Sequence, residues 1–249
     1  MKENDDSASP ALGKLKSARE VKGGVAAVDR AFAVLVEIEG SIEPLSLTEL
    51  SHSTGLYKST ILRLLVSLIR ASLVVQRSDY RYELGPMAFR LGRAYEATNQ
   101  LEAHVQAALD HLVSQGTQSA SFHIRYDDTR RLCLLRVNSK HSTLDNVNTG
   151  DLLTLQYGAP AKVIETFTPK SCKKPVDTET LIFSSMGERD PSCASISCPV
   201  FGSQGIFMGA LSLSGPKDRF DAASVSWMTS ILLEEGRLLT KALGGEWPG

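Results

Sequence analysis

Two groups of side chains in this sequence could do chemistry. The first is Tyr57-Lys58-Ser59-Thr60 with Arg63 just beyond it, hydrogen-bonding and cationic groups packed at the head of one amphipathic segment. Such groups suit the reading of base edges and phosphates in a DNA groove. The second is scattered: His123, His141 and the four cysteines Cys133, Cys172, Cys193 and Cys198. A thiol nucleophile needs a base held beside it, and no motif here fixes such a pair. Nor is there a C-x-x-C pair or a matching histidine spacing, so neither a metal site nor a cofactor is expected. A lone cysteine ordinarily serves as a small apolar filler. The expectation is therefore a binding protein and not an enzyme.

The elements that must position the first group lie between Leu45 and Leu84. Ser46-Leu47-Thr48-Glu49 has the form of a capping box, in which Ser46 and Glu49 each satisfy the other's backbone amide. Gly55 supplies the left-handed turn that ends a short helix. The next helix starts near Tyr57 or Lys58, and its Ile61, Leu64, Leu65 and Leu68 fall at i, i+3, i+4 and i+7, one apolar stripe. Leu62 lies outside that stripe, among Ser59, Arg63, Ser67 and Arg70, where it meets a thymine methyl or solvent. Leu73 to Arg77 and Tyr80 to Leu84 read as two strands joined at Ser78-Asp79, with Arg77 and Arg81 beside the tip. A short helix, a turn, an amphipathic helix and a basic hairpin make a winged helix-turn-helix.

Charge agrees with this placement. The whole chain of 249 residues has a net charge of −1, but the stretch from Leu56 to Arg93 holds seven basic residues against Asp79 and Glu83. A local basic patch is what phosphate binding requires. Hydrophobic residues make up 42% and charged residues 22%, ordinary for a globular protein. No signal peptide and no run of ~20 apolar residues is present, so the expected location is the cytoplasm, without membrane attachment.

In chain order, Met1 to Lys22 is polar and reads as a disordered arm (1–22). A first helix from Val25 carries Val28, Phe32 and Leu35 at helical period, with Gly40 at its end. The winged domain spans 23–85, and a linker helix, opened by Pro86 and carrying Phe89, Leu91 and Tyr95, spans 86–99. The second domain, 100–249, begins with a helix from Leu101 to Ser114. Alternation then predicts a hairpin: Ala120, Phe122, Ile124 and Tyr126, a turn at Asp127-Asp128, and Arg131 to Val137. Residues 138 to 156 read as loop, Gly158 to Phe167 as a helix, and Thr168 to Lys174 as polar chain. Strands follow at Thr180 to Ser185, Cys193 to Phe201 and Ile206 to Ser214; Gly215-Pro216 is expected to break the sheet before a final helix, Ala222 to Leu243. Strands flanked by helices predict an α+β fold with helices on one face of the sheet.

From Gly24 to Leu243 the chain resembles the isocitrate lyase regulator (IclR) family of bacterial transcription factors. The resemblance rests on V-D-R-A-F-A-V-L at Val28 to Leu35, L-T-E-L at Leu47 to Leu50, T-G-L-Y-K-S-T-I-L-R-L-L at Thr54 to Leu65 and R-Y-E-L-G-P at Arg81 to Pro86. C-P-V-F at Cys198 to Phe201 and A-L-S-L-S-G-P at Ala210 to Pro216 complete it. Two departures are Ala161 before Lys162, where relatives usually carry glycine, and a short stretch between Phe167 and Thr180.

The resemblance implies a winged helix-turn-helix, a linker helix and a GAF-like effector domain, assembled as a homodimer or dimer of dimers. It also implies a small organic acid, aromatic acids included, bound on the sheet of the second domain. Matching positions are Ala159 and Pro160 at a helix start, where free amides favour an anion, Ser185, Cys193 and Ser195 on the middle strands, and Ser212 and Ser214 on the last one. Hydroxyls at alternating strand positions share a face, which allows them either to hold a carboxylate or simply to fill space. The expected function is operator binding by Tyr57, Lys58, Ser59, Thr60, Arg63, Arg77 and Arg81, modulated by that acid. The alternative is a DNA-binding protein whose second half only oligomerises.

Overall fold

The computed structural model describes residues 24–248 apart from 99, 144 and 169–180. The chain divides into two compact units, Met1–Thr98 and Asn99–Gly249. The expected N-terminal arm and most of the polar stretch after Phe167, with Cys172 and Thr180, lie outside the described residues.

The first unit is built on three helices, α1 (Ala26–Glu39), α2 (Leu47–Thr54) and α3 (Lys58–Arg70), and a hairpin, β1 (Val74–Gln76) and β2 (Tyr82–Leu84). The fourth helix, α4 (Pro86–Thr98), follows in the same unit. The local signals act as their chemistry demands. The Ser46 amide donates to Glu49 Oε2 at 2.7 Å and the Glu49 amide to Ser46 Oγ at 3.3 Å, while Gly55 ends α2 at φ 69°. Ile61, Leu65 and Leu68 of α3 are buried against Val34 and Ile38 of α1, Leu50 of α2, and Val74 and Tyr82 of the hairpin. Leu64 is only partly buried. Val28 and Phe32, which recur with Leu35 at helical period, are about half exposed. Helix α1 carries apolar side chains on two faces, and the one that meets α2 and α3 is the Val34–Ile38 face.

The hairpin is shorter than the sequence pattern implies. Tyr80 adopts a left-handed φ of 62°, its amide donates to the Arg77 carbonyl at 3.1 Å, and Asp79 accepts from the Arg81 amide at 3.2 Å. This tight turn ends the regular ladder at Gln76 and Tyr82, beyond which the Arg77 amide donates to the Arg81 carbonyl at 2.8 Å. Leu45 joins the other side of β2 by exchanging two backbone bonds with Tyr82.

The second unit begins with α5 (Gln100–Ser114), followed by β3 (Ser119–Arg125), β4 (Arg130–Val137), β5 (Leu152–Thr154), α6 (Ala159–Phe167), β6 (Phe183–Met186), β7 (Cys193–Phe201), β8 (Phe207–Pro216) and α7 (Ala222–Ala242). The strands form one antiparallel sheet in the order β5-β4-β3-β8-β7-β6. Strand β5 falls in the segment expected to be loop; three residues are too few for a period, and pairing with β4 makes them a strand. Gly215 and Pro216 continue β8 opposite Ala194 and Cys193 instead of ending it. Proline lacks an amide donor, but at the terminal residue of a strand little pairing is lost.

Both faces of the sheet are covered, a correction to the expectation of helices on one face only. Ala120 and Phe122 of β3, Ile196 and Cys198 of β7, and Leu211 and Leu213 of β8 pack with Val105, Leu109 and Leu112 of α5 and Met228 and Leu232 of α7. Residues of opposite parity, Phe201 and Ala210, pack with Val163, Ile164 and Phe167 of α6. Between α6 and the β4–β5 loop, that second face is polar. No helix among the described residues is long and apolar enough to cross a membrane.

Candidate functional site

In the first unit, the residues expected to meet DNA follow from how α2 and α3 are held. The Leu50 carbonyl accepts from Thr54 Oγ1, and Ser51 Oγ donates to the Leu56 carbonyl at 2.7 Å, so the turn between the helices is tied from both ends. Tyr57 is the extended residue that opens α3 and is largely exposed. Ser59 and Arg63, one turn apart, lie exposed, as do Leu62 and Val66 between and beyond them; Thr60 is half-buried. Lys58 reaches back, its Nζ donating to Thr48 Oγ1 at 2.9 Å. The face so formed offers hydroxyl donors, one guanidinium and two apolar groups, a set that can read both base edges and thymine methyls.

The two hairpin arginines differ in their engagement. Arg77 Nη1 lies 3.2 Å from Glu83 Oε2 and its Nε 3.7 Å from Asp79, on the exposed side of the hairpin. Arg81 donates to the Pro44 carbonyl at 2.9 Å and to Glu49 Oε2 at 3.0 Å, so it binds the hairpin to the α2 cap. Hydrogen bonds from the Ser46 side chain and amide, reinforced by Arg81, hold the Glu49 carboxyl below its ordinary range.

In the second unit, the polar sheet face lines a cavity. Pro160, Ser185, Cys193, Ser195, Ser212 and Ser214 all border it, brought together from α6 and three strands. Alternation explains the row: Ser195 pairs with Ser214 and Ser197 with Ser212 across β7 and β8, on the face away from the α5–α7 core. Ser212 Oγ donates to the Ile196 carbonyl at 3.1 Å and accepts from Ser197 Oγ at 2.7 Å, while Ser214 Oγ donates to Asp145 Oδ2 at 2.9 Å.

Ala159 is buried but does not border the cavity, and its amide donates to Ser195 Oγ at 3.3 Å. The amides of Ala161 and Lys162 donate to the Gly158 carbonyl, and Pro160 has no amide at all. The helix start therefore does not offer the free amides expected of it. Instead, α6 brings its glycine cap, Gly158 at φ 98°, to the cavity wall.

The charged groups of the cavity escaped the sequence reading. His123 of β3 and Arg131 of β4 are buried within it, and Arg189 and Asp190 stand at the end of the β6–β7 loop. Asp145 pairs with Arg136 at 2.6 Å, both nearly inaccessible. Burial, then the charge of Arg189, pulls Arg131 down to about 10. Burial first, then Arg131, Arg136 and Arg189, keeps His123 well below its ordinary range and so neutral. Burial pushes the Cys133 thiol up to about 12 and raises Cys198 further. Neither thiol is poised as a nucleophile. Among the described residues, no cluster of His, Cys, Asp and Glu could hold a metal ion. The sequence offered little signal for Arg131, which follows Arg130 at the start of a strand and shares its face with Cys133.

Comparison with known proteins places these sites in context. Residues 27–78 match the IclR helix-turn-helix domain. The chain is similar to the HTH-type transcriptional regulator BhcR of Paracoccus denitrificans, 27% identical over 89% of this chain and 88% of that one. In fold it is similar to an IclR transcriptional regulator from Alicyclobacillus acidocaldarius (TM-score 0.74, 21% identity, 89% of this chain and 100% of that one). It is also similar to an IclR homolog from Microbacterium hydrocarbonoxydans complexed with 4-hydroxybenzoate (TM-score 0.74, 14% identity, 88% and 99%).

Proposed function

We propose a function from one premise: this chain is a DNA-binding transcriptional regulator of the IclR family. On that premise it binds a two-fold related operator as a homodimer or dimer of dimers, with α3 in the major groove and the hairpin against the flanking backbone. Tyr57, Ser59, Thr60 and Arg63 read or position bases, and Lys58, Arg77 and Arg81 act mainly on phosphate. A small organic acid in the cavity of the second unit shifts operator affinity. The carrying observation is that cavity: the sheet face opposite the α5–α7 core buries Ser185, Ser212, His123 and Arg131 around open space instead of filling it with apolar side chains. Buried polar groups cost stability unless they are paired, so a ligand that pairs them supplies the reason for their presence. The Microbacterium homolog, complexed with 4-hydroxybenzoate, is a relative of similar fold that holds an organic acid.

The test is retardation of fragments from the gene's own upstream region, at modest salt, with and without short carboxylic acids. Specific retention of one fragment that changes with acid is expected. Substituting Ser212 and Ser214 together by valine should abolish the acid response and leave operator affinity intact. Binding that ignores every fragment removes the operator reading; a response that survives the double substitution removes the cavity from the mechanism.

A further inference from the structure

We infer that Arg131, with His123 beside it, anchors the effector, and that the effector is a short carboxylic acid carrying one negative charge. The inference rests on reading the cavity as an effector site and adds the ligand's class and its anchor.

Arg131 is 2% exposed, yet among the described residues it makes no ion pair. Its Nη1 donates to the Thr154 carbonyl and, at 3.1 Å, to the Tyr157 carbonyl, which fixes the guanidinium without neutralising it. Its Nε is buried with no hydrogen-bond partner. With a pKa still about 10, the group is charged at neutral pH, and a buried charge lacking a counter-ion is strongly unfavourable.

His123, 3% exposed, presents the same deficit: Nε2 lies 3.0 Å from Ser121 Oγ, while Nδ1 is buried without a partner. Arg131 and His123, each with one nitrogen left without a partner, thus line a single cavity. A carboxylate oxygen answers Arg131, and a second oxygen of the same ligand answers His123.

The surrounding charges limit the ligand to one negative charge. Asp145 is neutralised by Arg136. Asp190, next to Arg189 in the chain, also borders the cavity and is attracted by the charge of Arg189. The charge of Arg131 is left over. A second carboxylate would meet Asp145 and Asp190, and would have only Arg189, already drawn to Asp190, to answer it.

Size sets the other limit. The cavity leaves about 40 Å³ of room, whereas a cavity that takes up benzene is about 150 Å³. The room therefore favours a small acid over a ring. Gly158 helps keep the guanidinium accessible: a Cβ there would stand 3.3 Å from Arg131 Nη2.

The experiment is thermal unfolding of the full chain with millimolar propionate, lactate, propionamide, malonate or benzoate, for the wild type and Arg131→Gln. Propionate and lactate should raise the wild-type melting temperature, since a ligand of the native state stabilises it. Propionamide, malonate and benzoate should not. In Arg131→Gln, the apparent affinity for propionate should fall roughly tenfold or more, the loss of a charge-assisted hydrogen bond. Should that variant fail to fold, the acid–amide comparison in the wild type decides: equal binding of propionamide overturns the anchor. A folded Arg131→Gln that still binds propionate as the wild type does also overturns it, while the effector reading survives. Malonate or benzoate binding as well as propionate overturns the stated class. A wild type that responds to no acid overturns the effector reading itself.

Discussion

Arg81 and Glu49 are joined through a shared atom: Glu49 Oε2, which accepts from the Ser46 amide at 2.7 Å to close the α2 capping box, also accepts from Arg81 Nη1 at 3.0 Å. One carboxylate therefore caps α2 and fastens the hairpin to it. Both side chains are about half exposed, so solvent screens the ion pair and it contributes little stability by itself. Its effect is on where the hairpin stands relative to α2 and α3.

The two hairpin arginines should consequently respond differently to removal. Arg77→Ala should weaken binding to all duplexes alike and reduce the salt slope by about one phosphate contact. Arg81→Ala should cost less in salt slope and should lower the melting temperature of the first unit slightly. Fluorescence anisotropy across a salt titration measures the first effect, and calorimetry the second. Equal loss of slope in both variants would contradict the division of roles.

Two glycines of the first unit should differ in tolerance. At Gly55, φ is 69°, and alanine in the left-handed region costs about 1–2 kcal/mol. At Gly85, a Cβ would stand 2.3 Å from the Ser72 carbonyl oxygen, a clash between backbones that no rotamer relieves. Gly85→Ala should therefore destabilise more than Gly55→Ala in urea unfolding. The reverse order would mean that the β2 exit relaxes freely.

The Arg136–Asp145 pair should behave as a buried ion pair. Both side chains are 3% exposed or less, and Asp145 also accepts from Ser214. Asp145→Ala should cost about 3–5 kcal/mol, because it strands a buried guanidinium. Replacing both partners, as Arg136→Met with Asp145→Leu, should recover a large part of that loss. A double-mutant cycle by denaturant unfolding gives the coupling; additive losses would place the pair in water.

His123 should make the second unit sensitive to mild acid. Its folded pKa lies well below the ordinary value near 6.5, because of burial and the nearby Arg131, Arg136 and Arg189. The unfolded chain therefore takes up the proton first. The stabilising contribution is complete above about pH 6.5 and falls as pH drops below it, by up to about 1.4 kcal/mol per pH unit, until the folded histidine titrates. His123→Gln should flatten the stability profile between pH 6.5 and 5, and an unchanged slope would assign the acid loss to other groups.

The helix-turn-helix was legible from the sequence because its signals are local. Ser46 meets Glu49 three residues on, Gly55 ends the helix it follows, and Ile61, Leu65 and Leu68 share a face by spacing alone. The hairpin was legible in outline, and its true length was not, since Tyr80 takes a left-handed conformation that no residue pattern announces. Strand β5 was missed because three residues become a strand only when β4 lies alongside.

The cavity of the second unit divides along the same line. Alternation along β8 already grouped Ser212 with Ser214, since parity is a property of the strand itself. Whether that face is buried, and what lies opposite, depends on β4, α6 and the β6–β7 loop, which are distant in the chain. Arg131 was for that reason unremarkable as a letter in the sequence: a charged side chain becomes a receptor only when its surroundings remove water and supply no acid. The sequence by itself determined the local pieces, whose causes span three or four residues. Tertiary structure alone decided which polar groups were left buried and unpaired, because burial is a sum over neighbours that the chain brings together only by folding.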